Sequence, residues 1–336
     1  MDASIDVDAT ALSPSAVHLP TREMIFPKNL PLPYGWFRAV DSSDLVAGAV
    51  LPFEALERWF VAWREETGAA HVTSAFCPHL GTNIGFGGEV HGAELRCPFH
   101  GWCFDGSGRN SRIPYSDRTI PDARLVSYPV VETADIVMFW FHPGGIEPGW
   151  EIPILPAVPA ESSTPWRKHQ WEIDICWQEM NENGVDLAHF QQFHRLSELP
   201  RLESYETDGP LAKIRTVQTL ARHLGYEEVR LDSDQYGPGF GVARLGGFFN
   251  ADVVATTTPM TKNSSRIQIQ FSMHRNEHEH VTRVAEEMFH QAMVNEFTQD
   301  AKILARKAYL PRPYLAPGDG PIMKYRRWAQ QFHIDG

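Results

Sequence analysis

The chain has 336 residues, 43% of them hydrophobic and 21% charged, which is room for two domains and a large core. A net charge of −12 argues against nucleic acid as a partner, because phosphate binding needs a basic face. There is no run of about 18 apolar residues, so no membrane span is expected.

Residues 1–27 read as a loose tail whose polar start (Asp2, Asp6, Asp8) lacks the basic and apolar parts of a signal peptide. Pro27, Pro31 and Pro33 lead into an extended segment. Short β-rich runs follow at Trp36–Val40, Arg58–Trp63, His71–Ala75, Leu125–Val131 and Ile136–Phe141, which predicts a small antiparallel β domain over residues 28–146. A link rich in proline and glycine spans Pro143 to Pro165. From 147 to 336 the patterns predict a second domain, with strands at Lys168–Trp177, Leu211–Leu220, Tyr226–Leu231, Val253–Thr258 and Arg266–Met273. In the last of these, Ile267, Ile269, Phe271 and Met273 share one face. A long helix is expected over Val281–Tyr309, just before Pro311. Strands enclosing a late helix predict an α+β fold with a cavity between sheet and helix. The small residues of Gly237-Pro238-Gly239-Phe240-Gly241 and Gly246-Gly247-Phe248-Phe249 could line that cavity or be ordinary packing.

Two loops carry chemistry: Cys77-Pro78-His79 and, seventeen residues later, Cys97-Pro98-Phe99-His100-Gly101-Trp102. Two thiolates and two imidazoles suit a 2Fe–2S cluster with one iron held by sulfur and the other by histidine. Neutral imidazoles make the cluster less negative, which raises its potential to roughly −150 to +300 mV. Structural zinc is the alternative, but zinc fingers space like ligands together, whereas each loop here mixes one Cys and one His. Gly81, Gly85, Gly87, Gly88, Gly101, Gly106 and Gly108 permit tight turns that bring N–H groups near the sulfurs. Cys103 and Cys176 remain, too few for a disulfide framework, so a reducing cytoplasm is expected. These loops resemble those of Rieske proteins.

The stretch Asn181-Glu182-Asn183-Gly184-Val185-Asp186-Leu187-Ala188-His189-Phe190-Gln191-Gln192-Phe193-His194 carries two histidines five residues apart. Two His and one carboxylate make the facial triad of non-haem iron(II). On a straight helix His189 and His194 would lie about 140° apart, so a helix end, kink or π-bulge is expected between them if both face one ion. Alone, the spacing favours two ordinary histidines of an amphipathic helix over a metal site. A third ligand would come from a distant element. Asp300 lies within about 60° of Phe289, Met293, Phe297, Ile303 and Leu304 on the late helix, an apolar face where an unpaired carboxylate is costly. Glu296 shares that face and competes with it. Asp186 precedes His189 by three residues, close enough for its carboxylate to accept the second N–H of a ligand histidine.

In order and spacing, this second stretch resembles the Asp-x2-His-x4-His motif of Rieske non-haem iron oxygenases. The resemblance implies a Rieske domain followed by a helix-grip catalytic domain, an antiparallel sheet around a long C-terminal helix. It implies Cys77, His79, Cys97 and His100 as ligands of the 2Fe–2S cluster, and His189, His194 and Asp300 as ligands of a mononuclear Fe(II). It also implies Asp186 as a bridge to His100 of a neighbouring subunit in a homotrimer. Residues 182–190 are most similar to the steroid-active group of 3-ketosteroid 9α-hydroxylases and cholesterol 7-desaturases. The implied activity is O2-dependent hydroxylation of a large apolar substrate, a steroid, by a monooxygenase. Electrons would come from NADH through a separate flavin and iron–sulfur reductase, directly or through a ferredoxin. No GxGxxG fingerprint follows a strand, in agreement with a separate reductase. Steroid desaturation, oxidation of an aromatic acid or heterocycle, and a simple electron carrier are the alternatives.

Overall fold

The computed structural model describes residues 30–155, 161–219, 228–247 and 249–334; the tail over 1–27, Phe248, Leu220 and the start of the strand expected at Tyr226 lie outside the described residues. In the front half the alternating runs form β1 (Gly35–Asp41), β2 (Val50–Ala55), β3 (Arg58–Arg64), β4 (Ala70–Ser74), β5 (Glu89–His91), β6 (Glu94–Arg96), β7 (Cys103–Phe104), β8 (Asn110–Arg112), β9 (Ser127–Tyr128), β10 (Val130–Thr133) and β11 (Ile136–Phe141). They pair antiparallel in sheets ordered β1-β11-β10, β2-β3-β4-β9 and β5-β6-β7-β8. The run expected at Leu125–Val131 splits at Pro129, which has no N–H for a ladder: β9 pairs with β4 and β10 with β11. Pro52 interrupts the β pattern of strand β2, which takes the edge position where proline is tolerated.

The back half is one antiparallel seven-stranded sheet. Its strands are β12 (Arg167–Ile173), β13 (Arg201–Asp208), β14 (Leu211–Thr219), β15 (Glu228–Tyr236), β16 (Phe240–Gly246), β17 (Ala251–Thr261) and β18 (Ser264–Met273), in the order β12-β18-β17-β16-β15-β14-β13. Helices α1 (Trp177–Glu182), α2 (Leu187–Gln192), α3 (Glu279–Leu304) and α4 (Ile322–Ala329) complete the α+β fold. The strand expected through Trp177 stops at Ile173. Buried Ile175 continues the alternating pattern past the true end, and Trp177 opens α1. The long helix ends at Leu304, five residues short of the expected Tyr309, and Lys307 turns aside to meet Glu179 and Glu182 at 3.2 and 3.4 Å. Among the described residues, no helix is long and apolar enough to cross a membrane.

On β18, Ile267, Phe271 and Met273 are buried on one face, but Gln268, Gln270 and Ser272 on the other are buried too. The front half covers that second face. Gln268 Nε2 donates to Asp41 Oδ1 at 3.1 Å, Gln270 donates to the Ala134 carbonyl, and Lys168 Nζ reaches Asp41 Oδ2 at 2.5 Å. The hairpin tip Leu56-Glu57, at φ 55° and 58°, docks through its N–H groups on the Pro259 and Met260 carbonyls at 2.7 and 2.9 Å. A turn with two positive-φ non-glycine residues is strained in isolation and is held here by this contact.

Candidate metal centres

The front loops are built alike. Cys77 N–H donates to the Thr82 carbonyl and Gly81 N–H to the Cys77 carbonyl, at 2.8 and 2.9 Å; Cys97 and Trp102, Gly101 and Cys97 repeat the pattern at 2.8 and 3.0 Å. Each closure needs a left-handed residue at the same place, filled by Gly81 (φ 77°) and Gly101 (φ 71°). The Cys77 and Cys97 thiols are buried side by side, and burial first, then the neighbouring thiol, pushes Cys77 up to about 11. The His79 and Leu80 N–H groups point at the Cys77 sulfur and oppose that rise. The His79 and His100 rings lie 4.6 Å apart, and His79 stacks on Trp102 at 4.6 Å and 6°. Trp102 is fixed in turn by donating Nε1–H to the Tyr115 hydroxyl at 2.7 Å. Two adjacent thiols, that of Cys77 met by backbone N–H groups, with two imidazoles beside them, fit a 2Fe–2S cluster. Cys103 lies outside the set: its sulfur accepts from Arg112 Nη2 at 3.1 Å.

In the back half, the ligand atoms of His189, His194 and Asp300 lie within 4.8 Å of one another. The chain achieves this by ending α2 at Gln192, between the two histidines. His194 N–H then reaches back to the His189 carbonyl at 3.2 Å, a π-type closure, and Arg195 takes φ 61°. His194 Nε2 is 3.0 Å from Asp300 Oδ1, with side chains only 4% and 9% exposed. Asp300 Oδ2 accepts from Asn183 Nδ2 at 3.0 Å. Among the described residues, no lysine or arginine pairs with this buried carboxylate; its partners are an imidazole and an amide. A divalent cation would supply the compensation, and two imidazoles with one carboxylate suit iron(II). Burial pushes the His189 imidazole below its usual value against the pull of Asp300 and Asp186, which favours the neutral, ligating form. Glu296 is not one of the three converging groups, but it lies close to them: desolvation by the surrounding protein, against the pull of His194 and helped by the Asp300 charge, pushes its carboxyl above the usual value. Of the expected apolar face around Asp300, Phe297 and Leu304 are buried while Ile303 is 57% exposed.

Asp186 differs from expectation in one respect. Its carbonyl, at 2.5 Å, receives His189 Nδ1–H; its carboxylate Oδ1 is 3.9 Å from that nitrogen. The carboxylate is occupied as the N-cap of α2, accepting His189 N–H at 3.3 Å. The carbonyl still fixes the tautomer, leaving His189 Nε2 free. Gly237 and Gly239 are close-packing positions. A Cβ at Gly239 would collide with the Trp36 carbonyl of β1, and one at Gly237 would collide with the Trp150 ring. Phe249 contacts Phe289 of α3 at 5.5 Å. Sequence reasoning passed over Asn183, whose short polar side chain beside the motif gave no signal of its reach to Asp300.

Residues 139–333 match the family described as 3-ketosteroid 9alpha-hydroxylase C-terminal domain, and residues 35–129 match the Rieske [2Fe-2S] domain. A cholesterol 7-desaturase nvd 1 from Ciona intestinalis is 31% identical over 328 residues, covering 90% of this chain and 69% of that protein. A 3-ketosteroid-9-alpha-monooxygenase oxygenase component from Rhodococcus rhodochrous is 28% identical over 300 residues, covering 82% and 77%. In fold, the chain is similar to the crystal structure of dicamba monooxygenase bound to dicamba, with a TM-score of 0.71 at 19% identity, covering 88% of this chain and 96% of that one.

Proposed function

This chain belongs to the Rieske oxygenases of the 3-ketosteroid 9α-hydroxylase family, and from that premise we propose that it is the terminal oxygenase of a multicomponent system that hydroxylates a C–H bond of a steroid. The observation that carries the reading is the convergence of His189, His194 and Asp300 behind a domain bearing two Cys/His loops. A simple electron carrier has no use for the second cluster of ligands. We divide the chain at residues 146 and 147, between β11 and β12.

Cys77, His79, Cys97 and His100 hold the 2Fe–2S cluster, and His189, His194 and Asp300 hold the mononuclear iron. The cluster supplies single electrons, and the iron supplies activation of O2. The protein's part is positional. Trp102 fixes His79, the Asp186 carbonyl fixes His189, and Asn183 leaves one Asp300 oxygen facing the histidines.

Among the described residues of one chain, no hydrogen bond or ring contact joins the cluster loops to the 186–194 segment, which supports delivery of electrons from a neighbouring copy. The Asp186 side chain is 35% exposed. Next to it runs an open apolar groove of about 500 Å³ lined by Leu187, Leu199, Leu202, Leu315 and Met323. The cluster end of the molecule exposes Phe76, Leu80, Phe99 and Tyr115. These surfaces suit a homotrimer in which His100 of one copy meets Asp186 of the next. An NADH-dependent flavin and iron–sulfur reductase, acting directly or through a ferredoxin, completes the system in the cytoplasm. The named relatives point to a steroid in either of two reactions, and the desaturase names favour alkene formation as the second reading.

Oxygen uptake with a reductase and a panel of steroids, aromatic acids and heterocycles tests the proposal. A steroid should stimulate uptake and appear as an alcohol, or as an alkene under the second reading. Stimulation by an aromatic acid or heterocycle alone would overturn the substrate assignment.

A further inference from the structure

Three consecutive side chains at the end of α1 each bond a different part of the molecule. Asn181 Nδ2 donates to the Pro238 carbonyl and its Oδ1 accepts from Thr257 Oγ1, both at 2.7 Å. The Glu182 carboxylate, 5% exposed, takes Arg326 of α4 in a forked pair at 2.5 and 2.9 Å. Asn183 Nδ2 then donates to Asp300 Oδ2 on α3 at 3.0 Å. Successive helical side chains diverge by about 100°, so these bonds hold the end of α1 from three sides. Asn183 therefore projects from a fixed point.

The two oxygens of Asp300 have separate surroundings. Oδ1 lies 3.0 Å from His194 Nε2, on the side where the histidines converge, and Oδ2 is engaged by the Asn183 amide. We infer that Asn183 is a positioning residue that makes Asp300 a one-oxygen ligand. It occupies Oδ2 so that only Oδ1 is offered to the metal, which leaves a coordination position open that a two-oxygen carboxylate would fill. An amide suits this task because it orients the carboxylate without neutralising it, whereas a lysine or arginine would compete with the cation. The inference rests on the reading of His189, His194 and Asp300 as iron ligands.

The test compares Asn183→Leu, which keeps the bulk and loses the N–H, with Asp300→Ala in the full chain. Iron(II) affinity is measured by chelator competition, and cobalt(II) loaded into the same site reports ligand number through its visible absorption. Retained Rieske-cluster absorption and circular dichroism verify folding. Asn183→Leu should bind iron(II) ten- to a hundredfold more weakly, the range for loss of an outer partner of a metal ligand. Its cobalt(II) bands should weaken as the second carboxylate oxygen adds a ligand. Asn183→Ser, too short to reach Oδ2, should move both readouts in the same direction and replaces the leucine variant if that does not fold. If Asp300→Ala loses iron while both Asn183 variants keep native affinity and cobalt(II) absorption, the positioning role is overturned and the iron site stands. If Asp300→Ala keeps full affinity, the iron site itself is misassigned.

Discussion

Replacing Arg326 with methionine probes the buried charge cluster under the catalytic helices. Glu179, Glu182, Lys307 and Arg326 form a balanced quartet, with Lys307 3.2 Å from Glu179 and 3.4 Å from Glu182, and Arg326 forked onto Glu182. Arg326→Met leaves two buried carboxylates facing one ammonium and removes the Nη1–H bond to the Leu310 carbonyl at 2.6 Å. Breaking a buried pair from one side costs about 3–5 kcal/mol. Because Lys307 still reaches Glu182, the expected loss is at the low end, about 3 kcal/mol. The double variant Glu182→Gln/Arg326→Met restores the balance, leaving Glu179 with Lys307, and should recover about half of that loss; the orphaned Leu310 carbonyl keeps about 1 kcal/mol of the penalty. Urea unfolding followed by tryptophan fluorescence is the assay, since Trp177 on α1 is 1% exposed. A single-variant cost below about 1 kcal/mol, or a double variant no more stable than the single, would refute the reasoning.

Two further predictions concern acid stability and electron transfer. Burial alone would raise the Asp41 carboxyl, but Arg38, Lys168 and Gln268 outweigh it and hold the group below the usual carboxylate range. A group held low contributes its stability in full above about pH 4 and loses it as pH falls through the lowered value. Asp41→Asn should therefore be less stable at neutral pH yet lose less on acidification, and parallel acid-unfolding curves for the two proteins would count against this. Asp186→Asn keeps an N-cap for α2 while removing the charge, so both metal sites should fill normally. Reoxidation of the reduced cluster in a single turnover should slow at least tenfold. A native rate would rule out a bridge through this carboxylate.

Much of this was legible in the sequence because both centres are local in sequence. The front loops announce themselves by mixed Cys/His pairs with glycine four residues after each cysteine, and the helix break between His189 and His194 follows from 100° per residue. Asp300 is reached through helix angles, on which Glu296 competes with it, and through the resemblance to the oxygenase family. What was hidden depends on long-range contact. Gln268 and Gln270 look like the wet face of a strand until the front half covers them. Polar, exposed β13 shows little alternation, and Gly239 and Phe240 look like cavity lining when they pack against β1. The swap of carbonyl for carboxylate at Asp186 follows from the cap, a backbone detail the residue type does not reveal.

The seam between the halves limits what can be exchanged between relatives. Leu56-Glu57 keeps its left-handed backbone only while Pro259 and Met260 receive it, and Gln270 would lose the Ala134 carbonyl. Grafting a foreign electron-storing half onto this sheet would strand amides and a charge in a dry boundary unless both sides of the junction came along. Chimeras built by cutting at the obvious proline-rich linker should therefore fail to assemble, and swaps that carry the contacting tips from both parents are the ones to attempt.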